Sequence, residues 1–386
     1  MFAVAAPFSK ESMATVFLVT VVGVLGLTAV ADRSALRVPL PIAIGVLAFV
    51  LYAAGLHLLI LDCARCTANL APKIGMLVLV LWAGFAGWPS LVRRAPTSSV
   101  SQTGIVAGMG MAIGSLLLLT ELAFDAPIHR LTDAVPPSET VDGARYNRMV
   151  AAFVLLAWPI AGMLRQAGNR WLAVLLVAAA MAMAGLGFSA AAILMAVVSL
   201  MVFGLMRALP VALPRLGAGA MIAVVVLAPV IFALGLPASQ TIQNRISPSF
   251  VDRLEIWDHT ARTIREGPWY GHGITAQRTL PLQDGGNAYR YHIQPVTHAH
   301  NMALQWWLEF GMAGPVVLIS LILLTVRGIG GLDPGIRPYA AATAAAAATV
   351  SLVGYGFWQE TWLGMIGMSV IAIRLLAAAR TIRSEP

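Results

Sequence analysis

The sequence predicts an all-α protein, a polytopic transmembrane helix bundle, and three observations predict it. Of its 386 residues, 59% are hydrophobic and 11% charged, with a mean hydropathy of +0.81. A soluble domain carries about 25% charged residues. The apolar residues fall in runs close to the roughly 20 that a helix needs to cross hydrocarbon. The basic residues between those runs collect on one side when the runs are threaded in order. Runs of this length satisfy their own backbone groups as helices, which lipid demands.

About eleven spans follow along the chain: 13–31, 38–60, 72–92, 104–124, 147–164, 171–187, 190–206, 216–236, 302–326, 339–356 and 360–378. The separation between 171–187 and 190–206 is the thinnest, resting on Gly185-Leu-Gly-Phe-Ser189. Gly and Pro inside the runs are ordinary in membrane bundles. With the amino terminus outside, one face gathers Arg33, Arg37, Arg93, Arg94, Arg165, Arg170, Arg207, Arg215, Arg327, Arg337, Arg374, Arg380 and Arg383. That face holds 13 basic and 3 acidic residues and the other 12 and 14, a balance of +10 against −2. Cytoplasmic loops carry the excess of Lys and Arg, so the carboxy terminus is expected in the cytoplasm. The net charge of +8 then reports orientation in a lipid bilayer, and no nucleic-acid partner is expected. Lys10 precedes a long apolar run without an evident small-residue cleavage site, so no cleavable signal peptide is expected. Cys63-Ala-Arg-Cys66 falls in an outer loop. It reads as a local disulfide or two idle thiols before a redox pair, because no thioredoxin-like pattern surrounds it.

The chain reads as a single membrane domain, 1–386, without internal repeats, and 237–299 forms one long outer loop within it. A structureless loop of that length is unusual. Val251, Leu254, Trp257, Ala261 and Ile264 recur at helical spacing there, and Asp252, Arg253, Glu255, Asp258, Arg262 and Arg265 occupy the remaining positions. This predicts an amphipathic helix, capped by Ser249, stopped by Gly267-Pro268 and suited to the membrane surface. Residues 277–296 show no period and read as an ordered loop over a cavity or as a lid.

The chemistry concentrates at Thr297-His-Ala-His300-Asn301, at the mouth of the apolar run that follows. Polar groups at the edge of hydrocarbon are costly and therefore point to function. Arginine offers a planar fork matched to phosphate oxygens, and a histidine can accept a proton near neutral pH. The outer face offers His298, His300, Asn301, Arg253, Arg148, Arg278 and Arg290 for such work. Glu309, inside the ninth run, is expected to make a structural hydrogen bond. His298 and His300 are two apart, the carboxylates are scattered and no H-E-x-x-H occurs, so a metal-independent mechanism without a cofactor is expected.

Two blocks carry a family resemblance. The first is Phe250-Val-Asp-Arg253-Leu-Glu-Ile-Trp257 followed by Pro268-Trp-Tyr-Gly271-His-Gly273. The second is His300-Asn301, nine residues, then Gly311-Met-Ala-Gly314. In this order, within roughly Asp142 to Leu321, they resemble the O-antigen ligase and O-antigen polymerase family of bacterial membrane glycosyltransferases. The resemblance implies an inverting transferase of the inner (cytoplasmic) membrane with a periplasmic active site and an undecaprenyl-diphosphate-linked glycan donor. It implies His300 as catalytic base and Arg253 as a contact to the donor diphosphate. The family usually has about twelve helices, which leaves one missing here or a short segment within Met1–Ser9. The family often places a Ser-Arg pair near the outer start of the span at 190–206, and its arginine also binds diphosphate. This chain reads Ser189-Ala190-Ala191. Arg148 is the expected substitute and Arg278 the second choice.

The expected reaction is ligation of a glycan from undecaprenyl diphosphate onto a lipid A-core sugar hydroxyl. The alternative is an O-antigen or exopolysaccharide polymerase with the same donor and a glycan acceptor. A transporter of lipid-linked sugar would show internal repeats or broken helices at mid-membrane, and the sequence suggests neither.

Overall fold

The computed structural model describes residues 12–60, 70–86, 97–132, 141, 146–234, 244–281 and 289–384. Met1–Ser9, Cys63, Cys66, Arg93, Arg94 and Arg145 lie outside them, as do 235–243 and 282–288 of the long loop. Among the described residues all regular elements are helical. In chain order the α-helices are α1 Ser12–Ala31, α2 Leu40–Ile60, α3 Leu70–Phe85, α4 Thr97–Ala123, α5 Pro127–Thr132, α6 Asn147–Gln166 and α7 Arg170–Leu186. They continue as α8 Ala190–Ala208, α9 Ala212–Ile231, α10 Pro248–Glu266, α11 Met302–Phe310, α12 Ala313–Gly330, α13 Arg337–Val353 and α14 Glu360–Ser384.

Each expected span contains a helix. Among the described residues, α1, α4, α6, α8, α9, α12 and α14 are long and apolar enough to cross a membrane, and α2, α3 and α7 are shorter apolar helices. Large apolar side chains such as Leu47, Leu51, Val106, Leu175, Leu200, Val316 and Leu323 stand exposed on these helices. A water-soluble surface rarely presents so much apolar area. Lipid is the solvent that accepts it.

Helix α6 is the central post. Met149 through Leu164 are all buried, as expected of a helix that is apolar all round. It packs against α4, α7, α13 and α14, while α8 lies along α13. At one end of the bundle Arg165 donates to the Tyr339 hydroxyl at 3.5 Å, Gln166 to the Leu376 carbonyl at 3.3 Å, and Arg374 to the Ala86 carbonyl at 2.8 Å. At the opposite end lie the start of α6, the end of α13 and the start of α14.

The structure corrects three local expectations. The run 302–326 is not one helix. It breaks at Gly311, so α11 is nine residues, about 14 Å long, and does not span alone. The helix in the long loop starts earlier than Ser249. Ser247 is its N-cap, without a side-chain cap bond, and Pro248 fills the first turn, where its missing N–H costs nothing. That helix, α10, also buries acidic positions that the sequence pattern assigns to its polar face. Val251, Glu255, Ile256, Trp257, Asp258, His259, Thr260 and Ala261 are buried, and it packs against α11 and α9.

Candidate functional site

The two sequence blocks are clasped together by backbone. The Gly273 and His272 N–H groups donate to the Glu309 and Leu308 carbonyls, each at 2.8 Å, and the Met312 N–H donates to the Trp269 carbonyl at 2.9 Å. This bonding satisfies the frayed end of α11, where carbonyls would otherwise lack partners. The clasp needs glycine at two points. Gly311 has φ +53° and Gly271 φ +90°, and a Cβ on either would collide with backbone of the other block. A third tie comes from Trp257, whose indole N–H donates to the Ala299 carbonyl at 2.9 Å. Ala299 sits between the two histidines, so the first block fixes the position of the second.

His300 adopts φ +54°, a left-handed conformation that costs a non-glycine residue on the order of 1–3 kcal/mol. The turn brings the His298 and His300 rings to 4.2 Å between centroids. His300 Nδ1 lies 2.7 Å from the Gly354 carbonyl, which can only accept, so Nδ1 carries the proton and Nε2 holds the lone pair. Among the described residues Nε2 has no protein partner. His298 differs. The Gln359 amide nitrogen lies 3.3 Å from its Nε2, and Thr297 Oγ1 2.7 Å from its Nδ1. Both of its nitrogens are engaged, and Gly356 packs directly against its ring.

Charge separates the pair further. Burial, His300, Arg278 and Arg148 together push His298 down to about 3. Burial also lowers His300, but the Gly354 carbonyl and Asp252 pull it back up while Arg253 pushes down. Arg253 reaches across from α10 to donate Nη1 to the Val353 carbonyl at 2.7 Å. Arg148, on the first turn of α6, and Arg253 both act on the Tyr355 hydroxyl. Thus Arg148, Arg253 and Arg278 gather around the histidine pair from three elements. Arg290 is placed elsewhere, its guanidinium over the Tyr291 ring at 5.2 Å. Asn301 is buried and caps α11, its Oδ1 accepting from the Leu304 N–H at 3.1 Å.

Glu309 braces the floor. The wholly buried carboxylate accepts from the Thr275 N–H at 3.0 Å, from Gln305 Nε2 at 3.0 Å and from the Trp358 indole. Gln305 Oε1 in turn accepts from the Phe357 N–H at 2.9 Å. Four donors thereby fix the turn that carries Arg278 and the loop 354–359 that carries Gly356 and Gln359. Above this floor opens a cleft of about 70 Å³, lined by Lys73, Thr275, Arg278, Thr297, His298, Gln305, Gly356, Trp358, Gln359 and Glu360. Lys73 Nζ and Glu360 Oε1 face each other at 3.6 Å.

Sequence reading did not single out Lys73, Tyr355, Gln359 or Glu360. The short run Gly354-Tyr-Gly-Phe-Trp-Gln-Glu360 between two spans carried the signal. Polar residues crowded with aromatics at a membrane mouth mark a site as the His-Ala-His run does. Among the described residues no group of three His, Cys, Asp or Glu side chains is placed to hold a metal ion.

Comparison with known proteins finds similarity over part of the chain. Residues 172–319 match the family model described as "O-Antigen ligase". The match spans α7 to α12 and so includes both clasped blocks, while Lys73, Arg148 and 353–360 lie outside it. A protein of Rickettsia bellii (strain RML369-C), described as "Putative polysaccharide ligase", is 27% identical over 134 residues. That alignment covers 33% of this chain and 33% of the relative, so the chain spans about a third of the length of the curated protein it matches. The resemblance to the O-antigen ligase family holds over this segment, in a multi-pass helical membrane protein.

Proposed function

We propose that this chain is a metal-independent inverting glycosyltransferase of the O-antigen ligase type. It moves a glycan from undecaprenyl diphosphate to a sugar hydroxyl of lipid A-core at the periplasmic face of the inner membrane. One observation carries the reading: His300 has Nδ1 pinned to a carbonyl and Nε2 without a partner among the described residues, with arginines on several sides.

The acceptor hydroxyl gives its proton to His300 Nε2, and its oxygen attacks the anomeric carbon of the donor. The bond from that carbon to the diphosphate oxygen breaks, and its electron pair leaves on undecaprenyl diphosphate with inversion at carbon. Arg253 and Arg148 hold the diphosphate, where negative charge grows as the bond breaks. Arg148 takes the place of the arginine missing after Ser189. His298, engaged at both nitrogens, orients the site and Arg278 adds charge beside it. Asn301 sets the start of α11 and thereby the direction of His300. Arg290, turned onto Tyr291, contributes to the loop and not to the phosphate. Both matched descriptions name a ligase, which favours ligation over polymerisation.

Surface glycan on a deletion strain tests the reading. Full-length polymer that never joins lipid A-core is the expected phenotype. Single repeat units stalled on carrier lipid would assign polymerisation instead.

A further inference from the structure

The cleft beside His298 shares His298 and Arg278 with the steps above, whereas Lys73, Thr275, Gln359 and Glu360 have no role in them. It lies on the side of His298 that faces α3 and α14, whereas Arg148 and Arg253 belong to α6 and α10. At about 70 Å³ it is far smaller than a whole-ligand site and takes only the edge of a small polar group. Its walls are unusual for the mouth of a membrane bundle. Lys73, one of the two lysines in a chain with 23 arginines, is buried there to 6% exposure. Burying an ammonium is expensive unless it is paired, and its partner Glu360 stays half-exposed at 3.6 Å. A structural ion pair of this kind adds little to stability. Facing a cleft, the acid and the ammonium instead present an acceptor and a donor side by side. Gln359 uses its amide nitrogen on His298 and also lines the cleft, and Thr275 Oγ1 is buried without a partner among the described residues. Adjacent acceptors and donors of this sort match the hydroxyls of a sugar ring, above all a vicinal diol.

We infer that this cleft, walled by Lys73, Thr275, Gln305, Gln359, Glu360 and His298, is the subsite for the acceptor sugar. The inference rests on the proposed inverting transfer and adds the location of its second substrate. Inversion brings the attacking oxygen in opposite the departing diphosphate. With the diphosphate on the Arg148–Arg253 side, the acceptor enters from the Lys73–Glu360 side. The ion pair selects the sugar through its diol, and the attacking hydroxyl extends past the His298 ring to His300, whose ring lies 4.2 Å away.

Glu360→Gln and Gln359→Leu test this in purified protein, with undecaprenyl-diphosphate-linked O-polysaccharide as donor and lipid A-core as acceptor. Glu360→Gln keeps a hydrogen-bonding partner for Lys73 and so limits damage to folding. Both variants should raise the KM for lipid A-core about tenfold, the loss of one or two hydrogen bonds to a charged or amide group, with the KM for donor within about twofold of wild type. A rise in donor KM instead, or no change in either, overturns the inference while leaving the transfer reaction standing. Saturation-transfer NMR with free core oligosaccharide and no donor separates the two ideas. Contact with wild type that disappears in Glu360→Gln supports the subsite even if the wild-type protein transfers nothing. Equal contact with both proteins contradicts it.

Discussion

Two histidine pairs lie against α10, and they differ in what surrounds them. His298 and His300, 4.2 Å apart, have hydrogen bonds to Thr297, Gln359 and Gly354, and a cleft opens beside them. His259 and His292, 5.1 Å apart, are 2% and 1% exposed, and neither ring makes a well-formed hydrogen bond among the described residues. Arg148, Arg253 and Arg278 bear on the first pair with Asp252 opposing them, and Asp258 and Glu255 bear on the second. Asp258 accepts from Tyr289 at 2.6 Å and from Arg262 at 2.9 Å, while Glu255 receives the N–H groups of Arg290, Tyr291 and His292 at 2.7–2.9 Å. The second pair is thus packing beneath a clamped loop. Burial depresses both pairs, so a displaced titration does not by itself mark a site. A pinned tautomer, an adjoining cleft and surrounding arginines set the first pair apart.

The sharpest way to separate the regions is to remove cations from each. Arg253→Ala and Arg148→Ala should each cut transfer on the order of 10²–10³-fold, as loss of a charge-stabilising donor does. Arg148→Lys should recover part of the loss, since lysine lacks the fork. Arg262→Ala, at the second pair, should stay within about threefold of wild type. Equal losses at all three would erase the distinction.

A somewhat smaller effect should appear at the clasp that holds the first pair. Gly311→Ala places a Cβ against the Trp269 carbonyl at a positive φ and should destabilise by more than about 2 kcal/mol. Thermal unfolding of the detergent-solubilised protein reads this, and an unchanged midpoint would show that the clasp yields easily.

Acid should act on the second pair. Burial, then His259, lower His292 to about 4, partly offset by Glu255, against roughly 6.5 in an unfolded chain. The unfolded state therefore binds more protons between these values, and stability falls as pH drops from 6.5 towards 4. The local cost is on the order of 3 kcal/mol at 1.36 kcal/mol per unit. Amide exchange at 289–293 should speed up across that window. His292→Leu should weaken the pH dependence, leaving the part due to His259, which burial also lowers, and keep transfer within about threefold.

Much of this was legible in the sequence. Each apolar run holds a helix, and His298, His300, Arg148, Arg253 and Arg278 do come together. The break at Gly311 was not legible, because an apolar helix and two half-helices share one hydropathy pattern. Only the bonding of Trp269 and Gly273 to the α11 terminus distinguishes them. The burial of α10 was hidden for a related reason. Glu255 and Asp258 look solvated in sequence, yet they serve as internal acceptors for a loop distant in the chain. Lys73 and Glu360 are separated by most of the sequence, so no spacing could pair them. The fate of Glu309 followed the rule that an acid at such depth finds donors.

The central claim is that His300, and not its neighbour, takes the proton. The direct measurement is transfer by purified His300→Ala and His298→Ala with lipid-linked donor and lipid A-core, each shown folded and able to bind donor. His300→Ala should lose about 10²–10⁴-fold in rate with donor affinity retained, and His298→Ala should lose less. Retention of a third or more of wild-type transfer by His300→Ala, or the reverse ranking of the two, would contradict the assignment.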